Sequence, residues 1–518
     1  MLNQVAPGRS VESDSYAGAY EKFEEIIEQL RGAEAQTLTH DVLEGLVEVS
    51  GREVLRRLLQ GHMDERSQRR ASEAVIDAQS QVHSHKRMHT RGLKTIFGAI
   101  SVERQGHGGI GLESLHPLDA ELNLPQGLYS HTLSKRVAVA AAKESFDEVI
   151  AEITQHTGVE MHKRQVEELA ERAAQDFEAF YEQPIASDSA KTKSVGGVLV
   201  ISVDGKGVPM LRRDLRAQTQ VAAAKATPHL KHRASKGEKP HRKRMATVAA
   251  VYTIEPWVRL PEQIMNELHP VDTPTAKPAP RPRPENKRVW ASLKHTPQEV
   301  IAQTLSEAQQ RDPAHTKHWT ALVDGNQTQI QALQAEAAKR GIALTIILDL
   351  IHVLEYLWKA AWVLFDEANP DVEVWINDHL DALLRGRSSL LAAGLRRSAT
   401  RRGLSAQQRE PMDRCADYLL NHRDYLHYDL YLAQGFPIAT GVIEGACRHL
   451  VKDRMELTGA RWGMDSAESV LRLRALCSSG DFDHYWSFHL KQEHKRLHLS
   501  RYANDQAPQL SSFSAPIT

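Results

Sequence analysis

The sequence predicts an α+β protein, mainly helical in its N-terminal third and mixed α/β through its middle. Three observations carry that expectation. Apolar residues recur at helical spacing across residues 16–75 and 134–181. At Lys193 the period changes, and β-branched runs of strand length follow, each ending on an acid. Beyond Ile351 the helical period returns.

Composition narrows the class before any motif is read. The chain has 518 residues, 65 Lys+Arg against 66 Asp+Glu, 41% hydrophobic and 25% charged residues, an ordinary folded composition with no overall charge bias. Cys415, Cys447 and Cys477 are odd in number and form no C-x-x-C pair, which argues against a disulfide scaffold or a cysteine zinc site. His83, His85 and His89 lack a cysteine partner, so zinc is not expected there either. The opening stretch MLNQVAPGRSVESD lacks signal-peptide regions, and no run of 18 apolar residues occurs, so a cytoplasmic protein without membrane contact is expected.

Taken in order, Phe23, Ile26, Ile27 and Leu30 mark the first helix. Thr95–Val102 reads as two short β segments turning at Gly98. Ser145-Phe146-Asp147-Glu148 is a capping box, with Phe146, Val149, Ile150 and Ile153 as the apolar face behind it. Thr157-Gly158 ends that helix. The next places Val166, Leu169, Ala173 and Phe177 inward, with Lys163, Arg164 and Gln165 in its first turn. Helix, glycine turn, then a helix opening on basic and amide residues outlines a helix-turn-helix, although any α-hairpin shares that outline.

A strand is expected over Val195–Asp204, ending at the turn Gly205-Lys206-Gly207, and a second over Met245–Ile254. Between them, Leu211–Met245 carries eleven Lys/Arg, Arg242, Lys243 and Arg244 among them, against two acids. A solvated loop is the plain reading of such a run. Its local net of +9 in a neutral chain favours a polyanion, most simply nucleic acid. Residues 256–284 hold eight prolines and read as a loop. Thr320–Asp324 and Ala343–Leu348 are further strands, the second reaching Asp349. Helices are expected to about Tyr431 and again over Gly441–Met455, with a loose tail beyond Tyr502.

Acids are common enough that placement alone discriminates among them. Asp204 and Asp324 each end an apolar run and are followed by glycine, and Asp349 ends a third. Two such carboxylates 4 Å apart repel by roughly 4 kcal/mol at an effective dielectric near 20, unless a cation lies between them. Hard oxygen ligands suit Mg²⁺ or Mn²⁺, and a metal pair suits phosphodiester chemistry. Glu444 would complete the site, although spacing alone does not separate it from Asp453 or Glu456. Trp462 reads as packing or as a base-stacking platform.

Four stretches carry a wider likeness: V-I-S-V-D-G-K-G-V-P-M (200–210), A-L-V-D-G-N-Q (321–327), I-I-L-D-L-I-H-V-L-E-Y-L-W-K-A-A (346–361) and G-V-I-E-G-A-C-R-H-L-V-K-D-R-M-E-L-T-G-A-R-W (441–462). With H-P-L-D-A-E-L-N-L-P (116–125) and S-F-D-E-V (145–149), they resemble the ISKra family of bacterial insertion-sequence transposases, related to Mutator-type elements, over roughly residues 90–490. The resemblance implies an RNase H-like catalytic core with the acid triad Asp204, Asp324 and Glu444, interrupted by an α-helical insertion. Asp349-x-x-His352 matches the C/D-x-x-H signature of that group. Asp349 and His352 are expected beside the metal ligands, with Asp349 as the alternative second acid. Arg448, one turn beyond Glu444, is a candidate for an ion pair or a scissile-phosphate contact.

The organisation expected is a helical region (1–90), a small β segment with a DNA-binding region (91–190), the first part of the core (191–355), the insertion (356–435), the core's last helix (436–490) and a tail (491–518). The activity implied is cleavage of the element's own ends and their joining to target DNA, by a homo-oligomer on DNA, cytoplasmic and nucleoid-associated when bound. A nuclease without strand transfer, or a DNA-binding regulator with an idle catalytic fold, are the alternatives.

Overall fold

A computed structural model describes residues 14–184, 197–225, 242–268, 281–366, 368–439, 441–457 and 459–511. They fall into two units, residues 1–180 with 482–518, and residues 181–481. The fold is mixed α+β, and among the described residues no helix is long and apolar enough to cross a membrane.

In the first unit, α1 (Ala17–Arg31) packs on α2 (His40–Ser67), and β1 (Arg70–Ala71) follows. The hairpin β2 (His85–Thr95) and β3 (Gly98–Gly109), extended by β4 (Leu112–Leu115), is far longer than the two short segments expected. It turns tightly where expected, because Gly98 takes φ +123°, which side-chain-bearing residues rarely adopt. After α3 (Pro117–Leu122), the helices α4 (His131–Lys143), α5 (Phe146–Thr157) and α6 (Lys163–Ala173) pack on one another around buried Val137, Val149, Ile153 and Val166. The Ser145–Glu148 capping box opens α5, and Gly158 at φ 66° closes it. A short α7 (Phe177–Tyr181) ends this run.

The chain returns to this unit through a helix over Phe482–Leu497, whose Tyr485 hydroxyl donates to the Ala173 carbonyl at 2.6 Å. Residues 503–511 are not the loose tail expected, while 512–518 lie outside the described residues. Leu510 and Ser511 pair with β1, and Tyr502 and Leu510 are buried. Polar composition suggested solvent, but a few apolar side chains find the edge of a formed core.

The second unit is built on one sheet of β5 (Val198–Pro209), β6 (Lys243–Ile254), β7 (Glu285–Ser292), β8 (His318–Val323) and β9 (Leu344–Leu348), ordered β7-β6-β5-β8-β9. β5 pairs antiparallel with β6 and parallel with β8. Its first six residues are all buried, as a central strand covered on both faces requires. Two expectations need correction. β5 does not end at Asp204 in a glycine turn; it runs on to Pro209, paired residue for residue with β6. The glycines serve close approach there, since a Cβ on Gly207 would lie 2.9 Å from Lys243 Cδ. The proline-rich stretch is not all loop, for α9 (Pro261–Leu268) lies within it, while α8 (Ala217–Lys225) occupies part of the basic block. Residues 226–241 and 269–280 lie outside the described residues.

Around the sheet stand α10 (Pro297–Arg311), α11 (Gln327–Lys339) and α12 (Leu350–Ala361). A helical array follows: α13 (Asp371–Leu384), α14 (Ser388–Arg401), α15 (Ala406–Asn421) and α16 (Tyr428–Ala433). The chain then runs through α17 (Gly441–Ala446), a π-helical turn over Cys447–Lys452, α18 (Asp453–Met455) and α19 (Met464–Ser479).

Candidate metal centre

Strand register brings the sequence-separated acids together. The parallel pairing of β5 with β8 ends at Ser202 opposite Leu322, and Asp204 and Asp324 each stand two residues further on. β8 and β9 end at Val323 opposite Leu348, so Asp324 and Asp349 each follow by one. Neighbouring strands lie about 4.8 Å apart, so three aspartates leave one edge of the sheet from adjacent strands. That edge, at the carboxyl ends of parallel strands, is where an α/β sheet presents functional groups.

Each aspartate is held by local contacts. Asp204 Oδ2 accepts a hydrogen bond from the Cys447 thiol at 3.1 Å. Asp324 Oδ1 accepts from the Asn326 N–H at 2.8 Å, while its carbonyl accepts from the Tyr418 hydroxyl at 2.8 Å. Gly325, at φ +93°, is required beneath that tyrosine, because a Cβ there would lie 2.8 Å from Tyr418 Oη. Asp349 is buried and caps α12, its Oδ1 accepting from the Ile351 N–H at 2.9 Å. Its other oxygen lies 3.8 Å from His352 Nδ1.

Glu444 arrives from the first turn of α17, and the π-helical turn begins three residues later. One ligand atom from each of Asp349, His352 and Glu444 can be chosen so that all lie within 4.8 Å of one another, close enough to share one cation. The electrostatics record the crowding. Partial burial and then the Asp349 carboxylate push the Glu444 pKa up, with Asp204 adding to it. The neighbouring Asp349 carboxylate raises His352 to about 9, assisted by Asp324. His352 Nδ1 is buried with no hydrogen-bond partner among the described residues. The carboxylate oxygens of Asp349 and Glu444 fit a hard divalent cation such as Mg²⁺ or Mn²⁺, whereas His352, its pKa raised, acts as a positive partner of Asp349.

No protein-family model matches the chain, and no curated protein matches it. Asp349, expected beside the ligands and as the alternative second acid, offers a ligand atom within 4.8 Å of one from Glu444. Cys447 and Tyr418 were missed by sequence reasoning. Cys447 had a usable signal, its place three residues after Glu444, whereas Tyr418 lies 94 residues from Asp324 and had none.

The other candidates lie elsewhere on the fold. Lys163 pairs with Asp147 at 2.7 Å and Arg164 with Glu168 at 2.9 Å, both on the exposed surface of α5 and α6. The Gln165 side-chain oxygen accepts from the His162 N–H at 2.9 Å, closing the cap of α6. Arg242 is exposed, but Lys243 pairs with Glu456 at 2.5 Å and Arg244 donates to the Leu293 carbonyl at 3.1 Å, so both are engaged within the fold. Arg448 lies 3.7 Å from Asp453, its side chain largely exposed. Trp462 is buried, its ring nitrogen donating to the Met455 carbonyl at 3.0 Å, with the Arg454 guanidinium 4.8 Å from the ring centre.

Proposed function

We propose that the chain is a DNA transposase that cuts the ends of its own mobile element and joins them to target DNA, using Mg²⁺ or Mn²⁺ at Asp204, Asp324 and Glu444. The observation that carries this reading is the register placing Asp204, Asp324 and Asp349 on adjacent strands, with Glu444 within ligand distance of Asp349. Four acids gathered at one edge repel one another, and a divalent cation is the simplest group that relieves them. Bound there, a metal pair activates the attacking oxygen and stabilises the leaving one. The chain's own part is to orient: the Cys447 thiol fixes one oxygen of Asp204, the cap bond fixes Asp349, and Tyr418 fixes the backbone of Asp324.

Two further features favour this reading. The sheet has three antiparallel and two added parallel strands, with acids at the ends of the parallel pairing, the arrangement an RNase H-like core calls for. The array α13–α16 lies between Asp349 and Glu444 in sequence, as an insertion before the last acid requires. DNA is the partner, and two ends to be joined call for more than one copy of the chain.

A nicking and joining assay with Mg²⁺ or Mn²⁺ on a duplex carrying the element's end tests this. Covalent transfer of 3′-hydroxyl ends to a second duplex is the expected result. Cleavage without transfer would make the chain a nuclease, and DNA binding without cleavage would make it a regulator.

A further inference from the structure

The first unit contains a cavity of about 610 Å³ unrelated to the acids described above. Arginines dominate its wall: Arg91 and Arg104 on the hairpin, Arg501 near the chain's end, and Arg496. The last is committed elsewhere, bound through two nitrogens to Asp176 at 3.0 and 2.9 Å and to Glu493 at 2.7 Å. Arg91, Arg104 and Arg501 are less well balanced. Arg104 Nη1 donates to Asp119 at 2.5 Å, and Arg91 lies 4.0 Å from that same carboxylate, so one buried acid serves two partly buried guanidinia. Arg501 pairs at 3.1 Å with Glu113, whose side chain is 92% exposed, so that pair is weak in water.

Arg104 Nε is buried and has no hydrogen-bond partner among the described residues. Asp119 Oδ1 is unpartnered as well among the described residues, so the Arg104–Asp119 pair is incompletely satisfied within the fold. The histidine in the same wall reports the local field. Burial first, then Arg104, His89, Arg501 and Arg91, lower His116 to about 3. Its ring therefore stays neutral rather than adding to the positive charge around it. Arg91, Arg104 and Arg501 outnumber the wall's two carboxylates, Asp119 and Glu113, and the imidazole is neutral, so the excess of positive charge suits an anion.

We propose that this cavity binds a phosphate group, held by Arg91, Arg104 and Arg501, either free or at the 5′ end of a nucleic-acid strand. Guanidinium forks match phosphate oxygens in pairs, and an anion offsets the positive charge left over after Asp119 and Glu113. The site is independent of the metal-centre reading, since none of its residues is among the acids of the sheet edge.

The test uses the full chain and inorganic phosphate, read by thermal shift and by isothermal titration at constant ionic strength, with chloride as the control. Saturable stabilisation by phosphate and none by chloride is expected. Arg501→Ala, at the rim, should weaken binding by about tenfold or more, since a charge-assisted hydrogen bond is lost. Arg104→Gln should remove it. If Arg104→Gln fails to fold, the rim variant and the wild-type titration still decide the matter. Phosphate and chloride curves that superimpose, or an Arg501→Ala titration equal to wild type, would overturn the proposal. Competition by a 5′-phosphorylated single strand but not by its 5′-hydroxyl counterpart identifies a strand end as the source. Binding of phosphate without such competition identifies the free ion.

Discussion

At the scale of single residues, the proposed function makes charge rather than shape decisive at the sheet edge. Asp204→Asn and Asp324→Asn preserve volume but remove a charge that holds a cation, so each should lower cleavage by several orders of magnitude while leaving DNA binding intact. Glu444→Gln should be equally damaging, whereas Asp453→Asn, whose carboxylate meets the exposed Arg448 and His449, should be mild. The same nicking assay ranks Asp349→Asn against Asp324→Asn. A dead Asp349→Asn beside an active Asp324→Asn would make Asp349 the second acid. Cys447→Ala leaves every acid in place and removes only the thiol on Asp204, so a loss of about tenfold is expected, the worth of one hydrogen bond to a charged group.

At the scale of elements, buried charge networks decide what tolerates change. α10 carries Glu307, which binds fully buried Arg311 at 2.6 Å and also pairs with Arg288 on β7. Glu307→Ala would leave two buried guanidinia short of their acid and should cost about 3–5 kcal/mol, read by chemical denaturation. At the surface, Ser145→Ala removes one half of the α5 capping box and should cost only about 1 kcal/mol. Element reading from sequence worked where a local signal existed. That capping box and the β6 run are both formed. It failed at β7, whose opening Glu285-Asn286-Lys287-Arg288 is polar and follows prolines, and which becomes a strand because β6 offers it an edge.

For the whole molecule, stability should fall on the acid side through His116. Because its folded pKa is lowered to about 3, its neutral form is favoured in the fold, while the unfolded chain takes up the proton below about 6.5. The contribution is therefore complete above that value and lost as pH falls toward 3, with a slope of up to about 1.4 kcal/mol per pH unit. Denaturation midpoints of His116→Asn should show a flatter fall over that window. DNA affinity is the second whole-chain quantity. If about six cations contact phosphates, log K should fall against log salt with a slope near −5. Under the proposed function, replacing exposed Arg242 should flatten that slope for any sequence, whereas Lys243 and Arg244, held by Glu456 and the Leu293 carbonyl, should change it less. Replacing Lys163, Arg164 and Gln165 should reduce preference for element ends. Filter binding across a salt series measures both.

The amino-acid pattern by itself determined the α+β class, most helices, four of the five strands of the larger sheet, and the strand-end acids Asp204, Asp324 and Asp349, whereas Glu444 came from the family resemblance. Those follow from short-range causes: side-chain period, caps, glycine at positive φ. Tertiary structure alone decided that β5 runs past Asp204, because only a paired β6 makes the glycines a close contact instead of a turn. It alone placed Asp349 beside Glu444, 95 residues away in the chain, since register across parallel strands has no local signature. The arginine cavity was equally invisible. Arg91, Arg104 and Arg501 become neighbours only when the end of the chain folds back onto the N-terminal hairpin, and local charge counting cannot sum residues 400 positions apart.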